Sequence, residues 1–269
     1  MRIVSLACSN TEIVHALGCG HLLVGVDDHS DWPPGLVAPL PKVGPDLDID
    51  VERVASLEPD LVLATLTVPG HERVVERLEA ASLPFIAPEP VSIPDIYRDV
   101  REIGGRLGVP DRAEALIAEM RAELGDGAAP YEPVDPDRPS ILIQWWPKPV
   151  ITPGRLSWAH EAVLRAGGRT PIGDEEVKSR PLTNGEVVEL APDAIVLSWC
   201  GVHPDKYRPD VVLQNPEFAG VPAVRSGQVH CIGEPFLGRP GPRLVEGVRA
   251  LRAVVKAVEE QAAGIRWAP

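Results

Sequence analysis

Basic residues are in short supply in this chain. Over 269 residues, 26 Lys and Arg stand against 39 Asp and Glu, a formal net charge of -13 at pH 7. Nucleic acid and anionic membrane surfaces both recruit clustered Lys and Arg, so neither is expected as a partner. Long apolar runs are missing as well. No stretch approaches the roughly 20 apolar residues that cross a bilayer, and membrane insertion is not expected. The opening "MRIVSLACSNTE" turns polar and acidic after about eight residues, unlike a secretory signal. The chain as it stands is expected in the cytoplasm, and in the periplasm or outside the cell if an export signal has been removed.

Cysteine is sparse and unpatterned. Cys8, Cys19, Cys200 and Cys231 show no CxxC spacing, which fits reduced, mostly buried thiols better than a disulfide frame or a zinc site. Catalytic signatures are missing too: there is no Walker loop, no GxGxxG after the first strand and no GxSxG elbow. "HERVV" at His71 begins like HExxH and lacks the second His. The seven His have no metal-ligand spacing. Adjacent acids, Asp27 with Asp28 and Glu175 with Glu176, read as solvated loop.

What the chain does have is a phrase that occurs twice. Val54, Leu57, Pro59, Asp60, Val62 and Leu63 in "RVASLEPDLVLA" return as Val187, Leu190, Pro192, Asp193, Ile195 and Val196 in "EVVELAPDAIVLS". Each copy passes from helical spacing, through a helix-stopping Pro, into an unbroken apolar run typical of a strand buried on both faces. "LPFIAPEP" and "QVHCIGEP" add a second strand and a Glu-Pro exit to each half. "RIVSLACSNTEIVHALGCG" and "SILIQWW...SWAHEAVLRAGG" each read strand, loop, then a Gly-stopped helix, the first helix beginning near Glu12. The fold class is therefore α/β, two lobes each with a mainly parallel sheet flanked by helices.

Helices join the halves. Ser92 can cap a helix from Pro94 that carries Ile96, Val100, Ile103 and Leu107, and a second starts at Pro110 with Ala113, Leu116, Ile117, Met120 and Leu124. The expected organisation is an N-terminal lobe over 1–91, linking helices over 92–126 and a C-terminal lobe over 127–269, entered through the Pro- and Gly-rich "GDGAAPYEPVDPDRP".

Aromatics make up only 4% of the chain, yet six of them are Trp. Trp32 follows "LLVGV", Trp145 and Trp146 follow "SILI", and Trp199 follows "AIVLS", each just past the carboxyl end of a strand, where open parallel sheets bind ligands. Trp145, Trp146 and Trp199 are read as ligand contacts, Trp32 equally as contact or filler, and Trp158 and Trp267 as structural.

Four segments in order, "RIVSLACSNTEIVHALG", "LVGVDDHSDWPP", "LPKVGPDLDIDVERVASLEPDLVLA" and "FLGRPGPRLVEGVRAL", resemble the substrate-binding proteins of ABC importers for cobalamin, iron siderophores or heme. The "SNTE", "SDWPP" and "RPGPR" pieces are most similar to the cobalamin-binding branch. The resemblance implies two lobes on a long helix, a large planar metal chelate between them, no catalysis and no catalytic cofactor. It also implies a permease partner. His29 falls where that branch has a ligand-contacting Tyr; Arg239 matches an Arg that holds the corrin side chains; Glu234 stands near an Asp, and Phe236 joins the same segment. Glu72 matches one permease-docking Glu, whereas Gly238 falls where the second belongs, and Cys8 replaces a common Pro.

A corrinoid needs apolar cover for its ring and a few polar groups for its amides. Asn10, Thr11 and Gln144 are weak candidates for the latter. Anionic ferric chelates would favour more cations than Arg239, Lys148 and Arg180 supply. Cobalamin or another corrinoid is thus the first expectation, a ferric siderophore or heme the second, and an α/β enzyme on a chelate or nucleotide, using His29 and nearby acids, the third. His29 as an axial cobalt ligand is a minor reading.

Overall fold

The computed structural model describes residues 1–126 and 135–266. Trp267 and most of the expected Pro- and Gly-rich link lie outside them. Two compact units are formed, Met1–Pro90 with Pro94–Arg121 and Pro240–Pro242, and Val91–Ile93 with Ala122–Arg239 and Arg243–Pro269.

The first unit runs β1 (Ile3–Ser5), α1 (Cys8–Ala16), β2 (Leu23–Val26), α2 (Pro34–Val37), α3 (Val51–Ser56), β3 (Leu61–Leu63), α4 (His71–Ala80), β4 (Phe85–Ile86), α5 (Ile93–Arg106) and α6 (Pro110–Leu124). Its four strands are parallel in the order β2-β1-β3-β4. The order reverses between β1 and β3, and loops leaving such a switch point at the carboxyl edge are the usual ligand place. Val4, Leu6, Val43, Ile49, Val62 and Leu78 fill one core. Ile96, Val100 and Ile103 of α5 are fully buried, as the spacing predicted.

α1 corrects one expectation, because it begins at Cys8 and not near Glu12. Ala7 precedes it with no side-chain cap, so Asn10 and Thr11 lie in its first turn and are buried. Asn10 Nδ2 donates to the carbonyl oxygens of Leu63 (3.3 Å) and Ala64 (2.7 Å), tying α1 to the end of β3.

The second unit holds β5 (Ile141–Gln144), β6 (Trp146–Pro147), β7 (Val150–Pro153), α7 (Trp158–Arg165), β8 (Ser179–Leu182), α8 (Asn184–Leu190), β9 (Ala194–Leu197), α9 (Asp210–Leu213), α10 (Pro222–Arg225), β10 (Val229–Cys231), α11 (Glu234–Leu237) and α12 (Leu244–Arg266). β10-β9-β5 is parallel, and β6-β7-β8 is an additional antiparallel sheet. Two strands of that sheet, β6 and β7, stand where a plain loop was expected between the first strand and helix, and β8 follows α7. The three strands are short and carry Pro147, Pro153 and Pro181, a composition that reads as turn because Pro removes ladder donors.

The repeated phrase has one structural job in both units. After α3, Glu58 takes a left-handed φ of 47°, and Asp60 then accepts from the Arg2 backbone N–H at 2.6 Å and donates its own to the Arg2 carbonyl at 2.8 Å. After α8, Ala191 takes φ 43°, and Asp193 makes the same two bonds to Ser140, each 2.8 Å. Arg2 and Ser140 lead into β1 and β5, so each Asp sets the register at which its buried strand enters the sheet.

None of the four cysteines is in a disulfide, but only Cys19 is buried; Cys8 is half-buried, and Cys200 and Cys231 are exposed. The expectation of mostly buried thiols fails for the last two because they sit at or just past strand ends.

Candidate functional site

At the carboxyl edge of the first sheet, the loop after β2 is knotted by polar groups. Asp27 is fully buried, accepting from Ser30 Oγ and from the His29 backbone N–H at 3.0 Å. Lys42 Nζ donates to the carbonyl oxygens of Asp27 (3.2 Å) and Ser30 (2.6 Å). Thr11 Oγ1 lies 2.8 Å from both Ser5 Oγ and Ser30 Oγ, binding the loops after β1 and β2 together. Burial raises the Asp27 pKa above the ordinary carboxylate value, against these bonds.

His29 and Trp32 are among the residues of that loop that stay in water. The His29 side chain is 48% exposed and Trp32 is 42% exposed. His29 Nε2 lies 3.7 Å from Asp46 Oδ1, while His71 Nε2 lies 3.7 Å from Asp46 Oδ2. His71 holds the Asp46 carboxyl below its usual value. The imidazole is oriented by its own turn, since His71 Nδ1 accepts from the Val68 backbone N–H at 3.2 Å. Glu72 is exposed on the first turn of α4 and accepts from the Gly70 N–H at 2.8 Å.

The carboxyl edge of the second sheet is aromatic. Trp199 is 6% exposed; its ring lies 5.4 Å from that of Tyr207, and its Nε1 donates to Gln144 Oε1 at 2.9 Å. Tyr207 OH donates to the Trp199 carbonyl at 3.2 Å and accepts from the Glu234 N–H at 3.0 Å, while burial pushes its pKa up to about 12. Trp145 is half-buried and packs at 6.2 Å on Trp158, which is buried and donates from Nε1 to the Leu237 carbonyl at 2.8 Å. Trp146 is 42% exposed on β6. Arg239 is buried and paired at 3.0 Å with Glu234, and the Arg243 guanidinium lies 4.7 Å over the half-buried Phe236 ring.

The residues read from sequence thus separate into two kinds. His29, Trp32 and Trp146 present surface to solvent, whereas Trp199 and Arg239 are held inside their unit by protein partners. Arg180 is committed to Glu175 (2.6 Å) and Glu186 (2.8 Å). Tyr207 was not foreseen; it hides in the polar "HPDKYRPD" and lines up with Trp199 only when that loop folds back. Trp145 Nε1 and Ser198 Oγ, both at this edge, are buried and have no hydrogen-bond partner among the described residues. No group of three or more His, Cys, Asp or Glu able to hold a metal ion occurs among them.

A sequence profile for the periplasmic binding protein family matches residues 3–235. The chain belongs to that family. The ABC transporter substrate-binding lipoprotein YvrC of Bacillus subtilis is 30% identical over 254 residues, covering 93% of this chain and 78% of that protein. A vitamin B12-binding protein of Pectobacterium carotovorum is 27% identical over 244 residues, 91% of this chain and 84% of its own. Among solved structures, the periplasmic heme-binding protein RhuT of Roseiflexus sp. RS-1 superposes with a TM-score of 0.78 at 27% identity, covering 96% of this chain and 98% of that one.

Members of the family carry solutes and do not catalyse, so the chain is a binding protein and the enzyme reading falls. The α/β class with parallel sheets flanked by helices stands. No helix of the described residues is long and apolar enough to cross a membrane. The cytoplasmic expectation finds no support, since the Bacillus subtilis relative is named a lipoprotein and the Roseiflexus structure a periplasmic protein.

Proposed function

We propose that this chain is the solute-binding component of an ABC importer, working outside the cytoplasm, with cobalamin or another corrinoid as its ligand. The supporting observation is an exposed Trp at the carboxyl edge of each unit, Trp32 in the first and Trp146 in the second, in a chain whose 27% identical relative is named for vitamin B12. A surface indole presents a broad apolar face that suits a planar ring. His29, Glu234, Phe236 and Arg239 complete the ligand residues, and Glu72 on α4 is the permease contact. Heme or a ferric siderophore is the second reading, favoured by the structural likeness to the heme-binding protein of Roseiflexus. Incubation with cyanocobalamin or with hemin, desalting, and an absorption spectrum separate the two. Retained corrin bands are expected; retained heme bands with colourless cobalamin samples replace the first reading by the second. Trp146→Ala should weaken cobalamin binding by about 2 kcal/mol, roughly thirtyfold.

A further inference from the structure

We infer that the second unit carries a separate pocket for a small organic carboxylate with an apolar body, with Gln144, Asn215 and Lys148 as its polar contacts. The cavity measures about 330 Å³, at the lower end of the roughly 300–1,000 Å³ usual for ligand pockets. It is built wholly from residues 144–218. The inference goes beyond the metal-chelate reading and does not depend on it.

Gln144 sets the polarity. An indole N–H only donates, so the bond from Trp199 Nε1 fixes the amide with Oε1 toward Trp199 and its NH2 turned away from that ring. Gln144 lines the cavity although only 2% of it is exposed, and its Nε2 has no acceptor among the described residues. Nε2 is not among the buried polar atoms that lack a partner, so it is open to solvent and to a ligand acceptor.

Asn215 repeats the arrangement. Its Oδ1 accepts from the Glu217 N–H at 3.1 Å and caps the short helix Pro216–Phe218, and its Nδ2 has no acceptor among the described residues. Lys148 is exposed at the rim, and among the described residues no carboxylate pairs with its ammonium. The nearby Glu217 carboxylate accepts from Asn184 Nδ2 at 2.8 Å.

Three donors, one of them cationic, therefore surround a space walled by buried Leu182, Val212 and Phe218. A carboxylate supplies only acceptors and one negative charge, which matches that set; a carboxamide would turn an N–H group toward other donors. The apolar body of the ligand would lie on the aliphatic and aromatic wall.

The experiment is a titration of the 15N-labelled full chain with sodium benzoate at millimolar concentration, followed by amide NMR shifts, with benzamide as the neutral control. Saturable shifts should centre on Lys148, Thr183, Asn184 and Val212 to Asn215, with benzamide binding roughly tenfold weaker. Asn215→Asp keeps the capping oxygen while replacing the donor by a negative charge, and should weaken benzoate roughly tenfold without moving benzamide. Lys148→Gln, on the exposed rim, should do the same in a chain whose fold is undisturbed. The proposal is overturned if no saturable shift occurs, if the shifts centre elsewhere, if benzamide binds as well as benzoate, or if neither variant alters benzoate affinity.

Discussion

Asp60 and Asp193 make the same pair of backbone bonds at the amino ends of their sheets, whereas the carboxyl ends of those sheets carry unlike side chains. In the first unit the carboxyl edge is a hydroxyl and carboxylate knot around Asp27, Ser30, Thr11 and Lys42. In the second it is two tilted aromatic contacts, Trp199 with Tyr207 and Trp145 with Trp158. The difference teaches where constraint and freedom lie in such a fold. The junction must place a strand that is buried on both faces, and a backbone-bonding Asp after Pro is a local solution that works twice. The opposite edge is open to water, so its chemistry follows the ligand.

The largest effects should come from the shared core. Ile3 and Ile141 open β1 and β5 and are both fully buried. Ile3→Ala and Ile141→Ala should each lose about 3 kcal/mol in urea denaturation, the ordinary cost of deleting three buried carbons. A gap of more than about 2 kcal/mol between them would break the equivalence of the two strands.

A pH series should separate the units in sign. In the second, buried His160 lies 2.6 Å from Thr170 Oγ1, and burial lowers its pKa from 6.5 to about 4. Its native ring stays neutral while the unfolded one takes up a proton. The stability it confers is present above pH 6.5 and lost as pH falls toward 4, by up to about 3 kcal/mol. In the first unit, burial raises Asp99 to about 6. A raised acid stabilises fully below its unfolded value and loses that contribution as pH rises through about 6. His160→Gln should therefore flatten the loss of stability between pH 6.5 and 4, and Asp99→Asn should gain about 1 to 2 kcal/mol at pH 7.5 and none below pH 4. Unchanged slopes in either variant would show that the group does not titrate with folding.

The junction itself comes next. Ser140 is buried while Arg2 is exposed, so losing the Asp acceptor leaves a dry N–H in one case and a wet one in the other. Asp193→Ala should cost about 2 kcal/mol and Asp60→Ala about 1 kcal/mol or less. Equal costs would mean that burial does not set the value of this bond.

How much of this was legible follows from the same contrast. The doubled phrase announced itself because its periodicity switches from helical to unbroken apolar at a Pro, and α5 was readable from its buried stripe. The sheet β6-β7-β8 was not, because strands of two to four residues punctuated by Pro147, Pro153 and Pro181 look like a loop. α1 was placed four residues late because Ala7 gives no capping signal while Asn10 and Thr11 do. At the site, a Trp after a strand is visible in sequence, but its exposure is not. Trp146 faces water and Trp199 is covered by Tyr207, eight residues along, through a fold-back that no spacing encodes.

The finest test of the equivalence lies in one turn. Glu58 and Ala191 stand between helix and Pro at φ 47° and 43°, a region where a side chain costs about 1–2 kcal/mol. Glycine removes that cost but adds about 0.5–1 kcal/mol of chain entropy to be lost on folding. Glu58→Gly and Ala191→Gly should therefore each stabilise the protein by about 0.5 kcal/mol, read as a small rise in urea midpoint at unchanged slope. A loss at either position would show that the left-handed turn is not strained there. Gains of similar size at both would show that one backbone solution, with its strain, was kept in the two units while the edges they support diverged.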